Sequence, residues 1–318
     1  MFSVIIPNWN GMRLNLLPTC LKSLRQQVWR DFETIVVDDC STDGSQWFVG
    51  QVYPEVRLVA LKKNGGFAAA VNAGIRAARG DVIVLLNNDT ETDPHWLEEI
   101  ARALDENPRA GIVACKLRLF DKRDHLHSAG DFYRVDGIPG NRGVWEKDDG
   151  QYDDPRGAAS SLSPCFGACG GAAAYVKSML DEIGLFDEEL ISNLEDVDMN
   201  WRARWAGYPI VYAPRAVVYH HVSATGGGAY GSFYVGRNFI FVLAKNYPAS
   251  LWKKYRRTVL RAQLHISWDA LKSFRGAAAR ARLRGQIAGL LGLPHWLKRR
   301  GQVIRRVNDA EIEAVLAQ

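Results

Sequence analysis

No stretch of the 318-residue sequence approaches the ~18–20 consecutive apolar residues needed to cross a bilayer, so a spanning helix is excluded. The first residues, Met1-Phe2-Ser3-Val4-Ile5-Ile6-Pro7, show no basic lead-in and no cleavage site after their short apolar run, so a signal peptide is not expected. Cysteine is scarce. The five residues, Cys20, Cys40, Cys115, Cys165 and Cys169, are odd in number and scattered. Cys165 and Cys169 stand four apart with no second pair to complete a zinc site, so reduced thiols of a cytosolic protein are expected. Internal repeats are lacking as well. With 47% hydrophobic and 24% charged residues, the chain can bury a core, which excludes a disordered protein, a collagen-like fibre and a disulfide-stapled miniature. The length suits two domains, or one large α/β domain with an appendage.

Charge is unevenly placed. Residues 249–318 hold 15 Lys and Arg against 4 Asp and Glu, whereas residues 1–248 hold 25 against 31. An acidic body with a basic tail points to a tail that meets something anionic.

The first ~120 residues alternate two patterns. Ser3–Pro7, Glu33–Asp38, Val56–Leu61, Val82–Leu86 and Gly111–Cys115 are Val-, Ile- and Leu-rich runs that read as strands buried on both faces. Between them lie helical stripes such as Leu14, Leu17, Leu21 and Leu24, or Trp96, Leu97, Ile100 and Leu104 after Asp93-Pro94. Strand–helix–strand alternation predicts a doubly wound sheet with parallel strands, because these need crossover connections. Ligands bind such sheets beyond the carboxyl ends of the strands, and here four strands end in polar clusters on that one rim. Residues 121–164 lose the pattern and read as a long loop or irregular insertion. Order returns with a strand at Gly170–Val176, a helix at Glu195–Ala206, strands at Pro209–Ala213 and Ala216–His220, and helix formers after Pro248.

Each cluster has a chemical reading beside a structural one. Asp38-Asp39 precedes Ser41-Thr42-Asp43-Gly44. A capped helix start, with Ser41 or Thr42 as cap, explains the later residues but not two adjacent acids. Asp39 could accept a hydrogen bond from a nucleobase N–H. Asn64-Gly65-Gly66-Phe67 opens a helix whose free amides suit phosphate, although a tight strand–helix turn would look the same. Asn87-Asn88-Asp89-Thr90 places a carboxylate at a strand tip, suited to a divalent cation such as Mg²⁺ or Mn²⁺, or to capping the next helix. Glu195-Asp196-Val197-Asp198 crowds three acids into one helical turn. The helix dipole favours them there, and mutual repulsion raises at least one pKa toward that of a general base. His220-His221 ends a strand ahead of Ser223 and Thr225-Gly226-Gly227-Gly228. A histidine there could ligate a metal, and the glycine run could close over a substrate.

Taken in order, Val4-Ile5-Ile6-Pro7-Asn8-Trp9-Asn10, Val36-Val37-Asp38-Asp39-Cys40-Ser41-Thr42-Asp43-Gly44, Asn64-Gly65-Gly66-Phe67, Asn87-Asn88-Asp89, Glu195-Asp196-Val197-Asp198 and Tyr219-His220 resemble the family 2 glycosyltransferases. Within that family the sequence is similar to the rhamnosyltransferase-like branch that builds bacterial surface polysaccharides. The likeness covers about Phe2 to Pro248. It implies an α/β GT-A fold, a doubly wound mixed sheet, as catalytic domain over residues 1–248, with a helical C-terminal extension over 249–318. It implies that Pro7, Trp9 and Asp39 hold the base and ribose, Trp9 by stacking, and that Asn64 and the Gly65 and Gly66 amides lie near ribose and phosphates. Asn88 and Asp89 belong to the donor site, and Asp89 matches the last acid of the Asp-x-Asp motif that holds the cation on the diphosphate. His220 matches a position near that cation. Asp196 matches the catalytic base, with Glu195 and Arg202 beside it. The first acid of the motif is Asn87 here, which leaves fewer charges on the cation.

The activity so implied is inverting transfer of a sugar, favouring a 6-deoxysugar such as rhamnose, from a nucleoside diphosphate to a saccharide or lipid-linked acceptor. A sugar-nucleotide nucleotidyltransferase would carry its Gly-rich signature after the first strand, where Asn8-Trp9-Asn10-Gly11 stands instead. A non-enzymatic module binding nucleic acid or a membrane surface would leave the acidic body unexplained, and no nucleic acid partner is expected. In the tail, basic residues alternate with Trp252, Leu260, Leu264, Trp268, Leu271 and Phe274, and further on with Leu283, Leu290, Trp296 and Leu297. That pattern suits an interfacial helix on anionic lipid at the inner leaflet, or packing on the body or on a second subunit.

Overall fold

The computed structural model describes residues 1–154, 165–222 and 227–318. Ser223, Thr225 and Gly226 of the expected closing loop, and residues 155–164 of the expected insertion, lie outside the described residues. The chain opens with β1 (Phe2–Asn8), α1 (Leu16–Arg25), β2 (Phe32–Asp38), α2 (Ser45–Val52), β3 (Arg57–Ala60), α3 (Phe67–Ala77) and β4 (Val82–Leu86). A short β5 (Thr90–Thr92) leads to α4 (Trp96–Glu106), β6 (Ile112–Leu119) and β7 (Leu126–Ala129), then to the small antiparallel pair β8 (Asp131–Tyr133) and β9 (Pro139–Asn141). β10 (Ala172–Val176), α5 (Lys177–Ile183), α6 (Glu195–Trp205) and β11 (Ile210–His220) complete the body, and α7 (Gly228–Asn246), α8 (Ala249–Lys272), α9 (Ala277–Arg299) and α10 (Asp309–Glu313) follow.

The main sheet runs β3-β2-β1-β4-β10-β6-β11-β5, with β7 beside β6. The strands from β3 to β4 are parallel, with Ile5 opposite Ile35 and Leu85. β10 enters antiparallel between β4 and β6, so the sheet is mixed. Period-2 alternation sorts the strand residues to two faces. Val4, Ile6 and Val36 meet α1, α2 and α4 through Leu17, Leu21, Val49 and Leu97. Ile5, Ile35 and Val37 meet α3, α5 and α6 through Val71, Ile75, Met179 and Met199. Full burial of each such side chain contributes about 1.5–3 kcal/mol, which fixes the register of the strands whose tips carry the polar clusters.

Three expectations change. β3 is not buried on both faces. It is the sheet edge, with Arg57 and Ala60 exposed, because no strand lies beyond it. The two strands expected at 209–213 and 216–220 are one strand, β11, whose register shifts between Ala213 and Val217. Pro214 sits inside that irregularity, where its missing N–H is tolerated. The insertion expected to be irregular contains β7, β8 and β9.

The C-terminal helices share a core with the body. Tyr133, Trp201 and Trp205 pack with Phe241, Leu251 and Trp296. Lys245 bonds Asp187 at 2.8 Å and Asp198 at 2.9 Å, and the Ala317 N–H donates to the Tyr133 carbonyl at 2.9 Å. α7 and α9 cross at near backbone contact, because Gly285 faces Phe233 where a Cβ would stand 2.1 Å from its carbonyl oxygen. Among the described residues, no helix is long and apolar enough to cross a membrane, and all five cysteines are free thiols.

Candidate active site

A cavity of about 560 Å³ opens at the carboxyl-end rim, and Asp89, His127, Asp131, Glu195, Asp196 and His220 line it. Asp89 follows β4 and His220 ends β11. β5 pairs antiparallel with β11, setting Thr90 opposite His220, and so brings the two strand ends together. His220 Nε2 lies 3.1 Å from Asp89 Oδ1, and the His221 N–H donates to the Asp89 carbonyl at 2.9 Å. His220 Nδ1 lies 3.0 Å from His127 Nδ1. Burial and then His220 push His127 down to about 3, so it is neutral and can accept the Nδ1–H of His220. In the tautomer with the proton on His220 Nδ1, the Nε2 lone pair faces the same point as the Asp89 carboxylate, as two ligands of one ion do; in the other tautomer Nε2–H donates to Asp89. The 3.1 Å separation matches adjacent ligands on an octahedral ion with bonds near ~2.1 Å, and a carboxylate with an imidazole suits Mn²⁺ or Mg²⁺ sharing substrate oxygens. These two residues therefore fit a divalent cation.

On the facing side, α6 presents Glu195 and Asp196 from its first turn. Asp196 Oδ2 accepts the Gly170 N–H at 2.8 Å, and Oδ1 accepts the Val197 N–H at 2.8 Å. Burial raises its pKa, while these amides favour the ionised form. Burial and the neighbouring Asp196 charge push Glu195 up to about 8, and its buried Oε2 has no hydrogen-bond partner. Asp131 is raised well above the usual carboxylate range by burial and then by Asp196. Asp131, Cys169 Sγ and Asp196 bring donor atoms within 4.8 Å of one another. Of the three carboxyls, Asp196 is the one that accepts two backbone N–H bonds, so its ionised form is the best supported and it is the candidate to take a proton.

Asn87 also lines the cavity, whereas the residues expected to hold base, ribose and phosphates lie outside this lining. Trp9 is 55% exposed on the adjoining rim and so open to stack, and Pro7 is the last-but-one residue of β1. Asp39 is buried. Its Oδ1 accepts the Gly65 N–H at 2.7 Å and its Oδ2 the Gly66 N–H at 3.0 Å, and burial raises its pKa despite both bonds. The Gly65 and Gly66 amides are therefore not free phosphate donors, because the strand-tip acid already holds them. Asn64 is exposed and bonds the Asp39 carbonyl at 3.2 Å. Asn88 is turned inward, its amide donating to Asn8 Oδ1 at 2.8 Å, and Asn8 in turn donates to Asp38. Asp38, also held by Gln46, is a structural brace. Gly44 stands at the cap of α2 and Asp43 before it accepts the Ser45 N–H and hydroxyl, so neither Ser41 nor Thr42 is the cap.

Arg202 does not sit with the donor residues. It is 6% exposed, and its guanidinium commits four of its five N–H donors to Asp198 Oδ2 and the carbonyls of Ile183, Gly184 and Leu185, so it acts as a buried brace. Asp198 is equally structural. Burial alone would raise it, but Lys245, Arg202 and Asn246 outweigh burial and hold it well below the usual carboxylate range. The i, i+4 spacing of Asp198 and Arg202 carried that structural reading all along.

The sequence model described as Glycosyl transferase family 2 matches residues 3–184. The chain belongs to glycosyl transferase family 2. It is 27% identical over 265 residues to the N-acetylglucosaminyl-diphospho-decaprenol L-rhamnosyltransferase of Mycobacterium tuberculosis, a match covering 77% of this chain and 85% of that protein. It is 31% identical over 71% of its length to y4gI of Sinorhizobium fredii, but spans only 25% of that longer protein. In fold it is similar to the mannosyltransferase PcManGT of Pyrobaculum calidifontis, solved in complex with GDP-Man and Mn²⁺. The TM-score is 0.55 at 19% identity, covering 99% of this chain and 86% of that one. The family's GT-A fold is the fold observed.

Four residues of the family 2 chain escaped the sequence reading. His127 and Asp131 lie in the stretch without periodicity, where only the density of His and Asp was a signal. Tyr230 of α7 is raised to about 12, by burial and Tyr234 foremost, with smaller contributions from the charges of Asp39 and Glu195. Arg282 of α9 also lines the cavity.

Proposed function

We propose that the protein catalyses inverting transfer of a sugar from a nucleoside diphosphate to an acceptor hydroxyl. The carrying observation is that one cavity is lined both by the Asp89–His220 pair and by Asp196. Trp9, Pro7, Asp39 and Asn64 form the adjoining rim that binds base and ribose. Asp89 and His220 hold the cation, which when bound neutralises charge on the departing diphosphate. Asp196 accepts the proton of the acceptor hydroxyl. The acceptor oxygen then bonds the anomeric carbon, and the carbon–oxygen bond to the diphosphate breaks on the opposite face, its electron pair leaving with the phosphate. One displacement inverts the configuration. The upward shifts of Glu195 and Asp131 limit the negative charge that gathers around the base.

The resemblance and the mycobacterial relative support a 6-deoxysugar such as rhamnose as the transferred group, and a saccharide on a lipid carrier as acceptor in surface-polysaccharide synthesis. We assign catalysis to residues 1–248, and to the extension 249–318 the task of holding the enzyme at the anionic inner leaflet of the cell membrane. The test is transfer from a panel of thymidine, uridine and guanosine diphosphate sugars to a diphosphate-linked saccharide. One donor should be consumed with release of its nucleoside diphosphate. Chelation should abolish transfer, with Mg²⁺ or Mn²⁺ restoring it. Full activity after exhaustive chelation would remove the cation from the reading, and no transfer from any donor would overturn it.

A further inference from the structure

The cavity is acidic, lined by Asp89, Asp131, Glu195 and Asp196, and among the described residues Arg282 is the one Lys or Arg that lines it. It comes from α9, not from the sheet. Neighbouring arginines are tied down: Arg237 to the carbonyls of Glu189 and Leu190, Arg299 to Asp187, and Arg300 to the carbonyls of Ala244 and Tyr247. The Arg282 guanidinium makes no hydrogen bond or ion pair among the described residues. It rests over the Phe239 ring, 5.6 Å from the centroid. Its stem is seated by the bare Cα of Gly236, where a Cβ would stand 3.1 Å from Arg282 Cδ and 2.5 Å from its carbonyl oxygen. A half-buried guanidinium, held by stacking and backbone fit and bonded to none of the four acids that line the same cavity, keeps its planar fork free for an anion.

We propose that Arg282 is the cavity's receptor for a diphosphate group of a bound substrate, carried into the site by the C-terminal extension. The inference rests on the glycosyltransferase reading, in which two diphosphates reach this cavity: that of the nucleotide donor and that of a lipid-linked acceptor. Both offer the oxygens a guanidinium binds in a bidentate fashion. Either source makes the extension part of the substrate site and explains why α9 packs on α7 at backbone contact, since a looser crossing would withdraw the arginine.

The test is calorimetric titration of the full chain with inorganic pyrophosphate in Mg²⁺ buffer, for wild type, R282Q and R282K. Loss of a charge-assisted bond should weaken binding about 10- to 100-fold in R282Q. R282K keeps the charge without the fork, should fall between, and carries the test if R282Q does not fold. Equal affinity in all three, or no pyrophosphate binding by wild type, overturns the proposal. Two kinetic arms separate the sources. A raised KM for the nucleotide sugar assigns Arg282 to the donor. A raised KM for a diphosphate-linked saccharide, but not for the same saccharide as an alkyl glycoside, assigns it to the acceptor. A change in neither arm overturns the assignment. Pyrophosphate binding that depends on Arg282, with no sugar transfer by wild type, would instead sink the glycosyltransferase reading and leave the anion site standing.

Discussion

Asp196 and Glu195 are adjacent in sequence yet meet different surroundings, and the difference gives two measurable consequences. Asp196 receives two amide N–H bonds, so its ionised form is supported where it faces the cavity. Asp196→Asn keeps the shape and removes the proton acceptor. Turnover should fall roughly 10²–10⁴-fold, with donor affinity little changed; a near wild-type rate would move the role to another carboxyl. Glu195 is buried and pushed up to about 8 from its ordinary 4.5. A carboxyl whose pKa is raised on folding binds more protons folded than unfolded. Its contribution is therefore fully present below the unfolded pKa and is lost as pH rises through 4.5 toward about 8. Glu195→Gln should flatten the decline of urea-unfolding stability between those pH values. A variant that declines as steeply as wild type would show that Glu195 is not the group responsible. At this scale the sequence was legible wherever an acid follows a strand or opens a helix, as Asp89 and Asp196 do. It misled at Arg202, because a polar residue near a motif looks the same whether it serves a ligand or a buried Asp198. Asp131 and His127 could not be read, since their place in the site depends on β7 and β8, whose short strands leave no period to detect.

The elements themselves were legible in proportion to their burial. β1, β2 and β4 carry unbroken apolar runs because both faces are covered, and the sequence places them to within a residue or two. β3 has a shorter apolar run behind Arg57 and lies at the edge, and that short run does not by itself report a missing neighbour. β10 reads as a strand, but its antiparallel direction is set by the chain that leads into it, not by its own residues. The α7–α9 crossing was invisible, because a glycine inside a basic helix advertises nothing until its partner is known. The crossing makes its own prediction. In an unhindered helix, Gly→Ala stabilises by about 1 kcal/mol. At Gly285 the new Cβ would meet backbone, the Phe233 carbonyl, which cannot swing aside. Gly285→Ala should destabilise by roughly 1–3 kcal/mol, as overpacking does. Gly301→Ala, where a Cβ would meet nothing within 4 Å, should not. A higher melting temperature for Gly285→Ala would show that the helices are not in backbone contact.

For the whole molecule, the basic extension divides its apolar residues between two tasks. Leu251, Val259 and Trp296 are buried, and two of them join Trp201 and Trp205 in a shared core, so removing the extension would unroof the body and is a poor test of anything else. A second set faces solvent. Leu260, Leu264, Trp268 and Leu271 are each at least half exposed and recur at helical spacing along one side of α8, followed by Phe274. Lys253, Arg256, Arg257 and Arg261 are exposed on the same helix. An apolar ridge flanked by cations is the composition of an interfacial helix, and each Lys or Arg near an anionic surface contributes about 1 kcal/mol. The full chain should therefore sediment with vesicles containing phosphatidylglycerol at low salt. It should do so less as the Debye length shrinks toward ~3 Å at 1 M salt, and little with purely zwitterionic vesicles. Replacing Leu264 and Trp268 by Ser removes apolar area, and replacing Arg257 and Arg261 by Gln removes charge. All four are exposed, so the fold should survive, which circular dichroism can verify. Each pair should cut sedimentation, and only the charge pair should reduce its salt dependence. Sedimentation unchanged in both variants, or absent for the wild-type chain at low salt, would leave the ridge as a contact for protein instead of lipid.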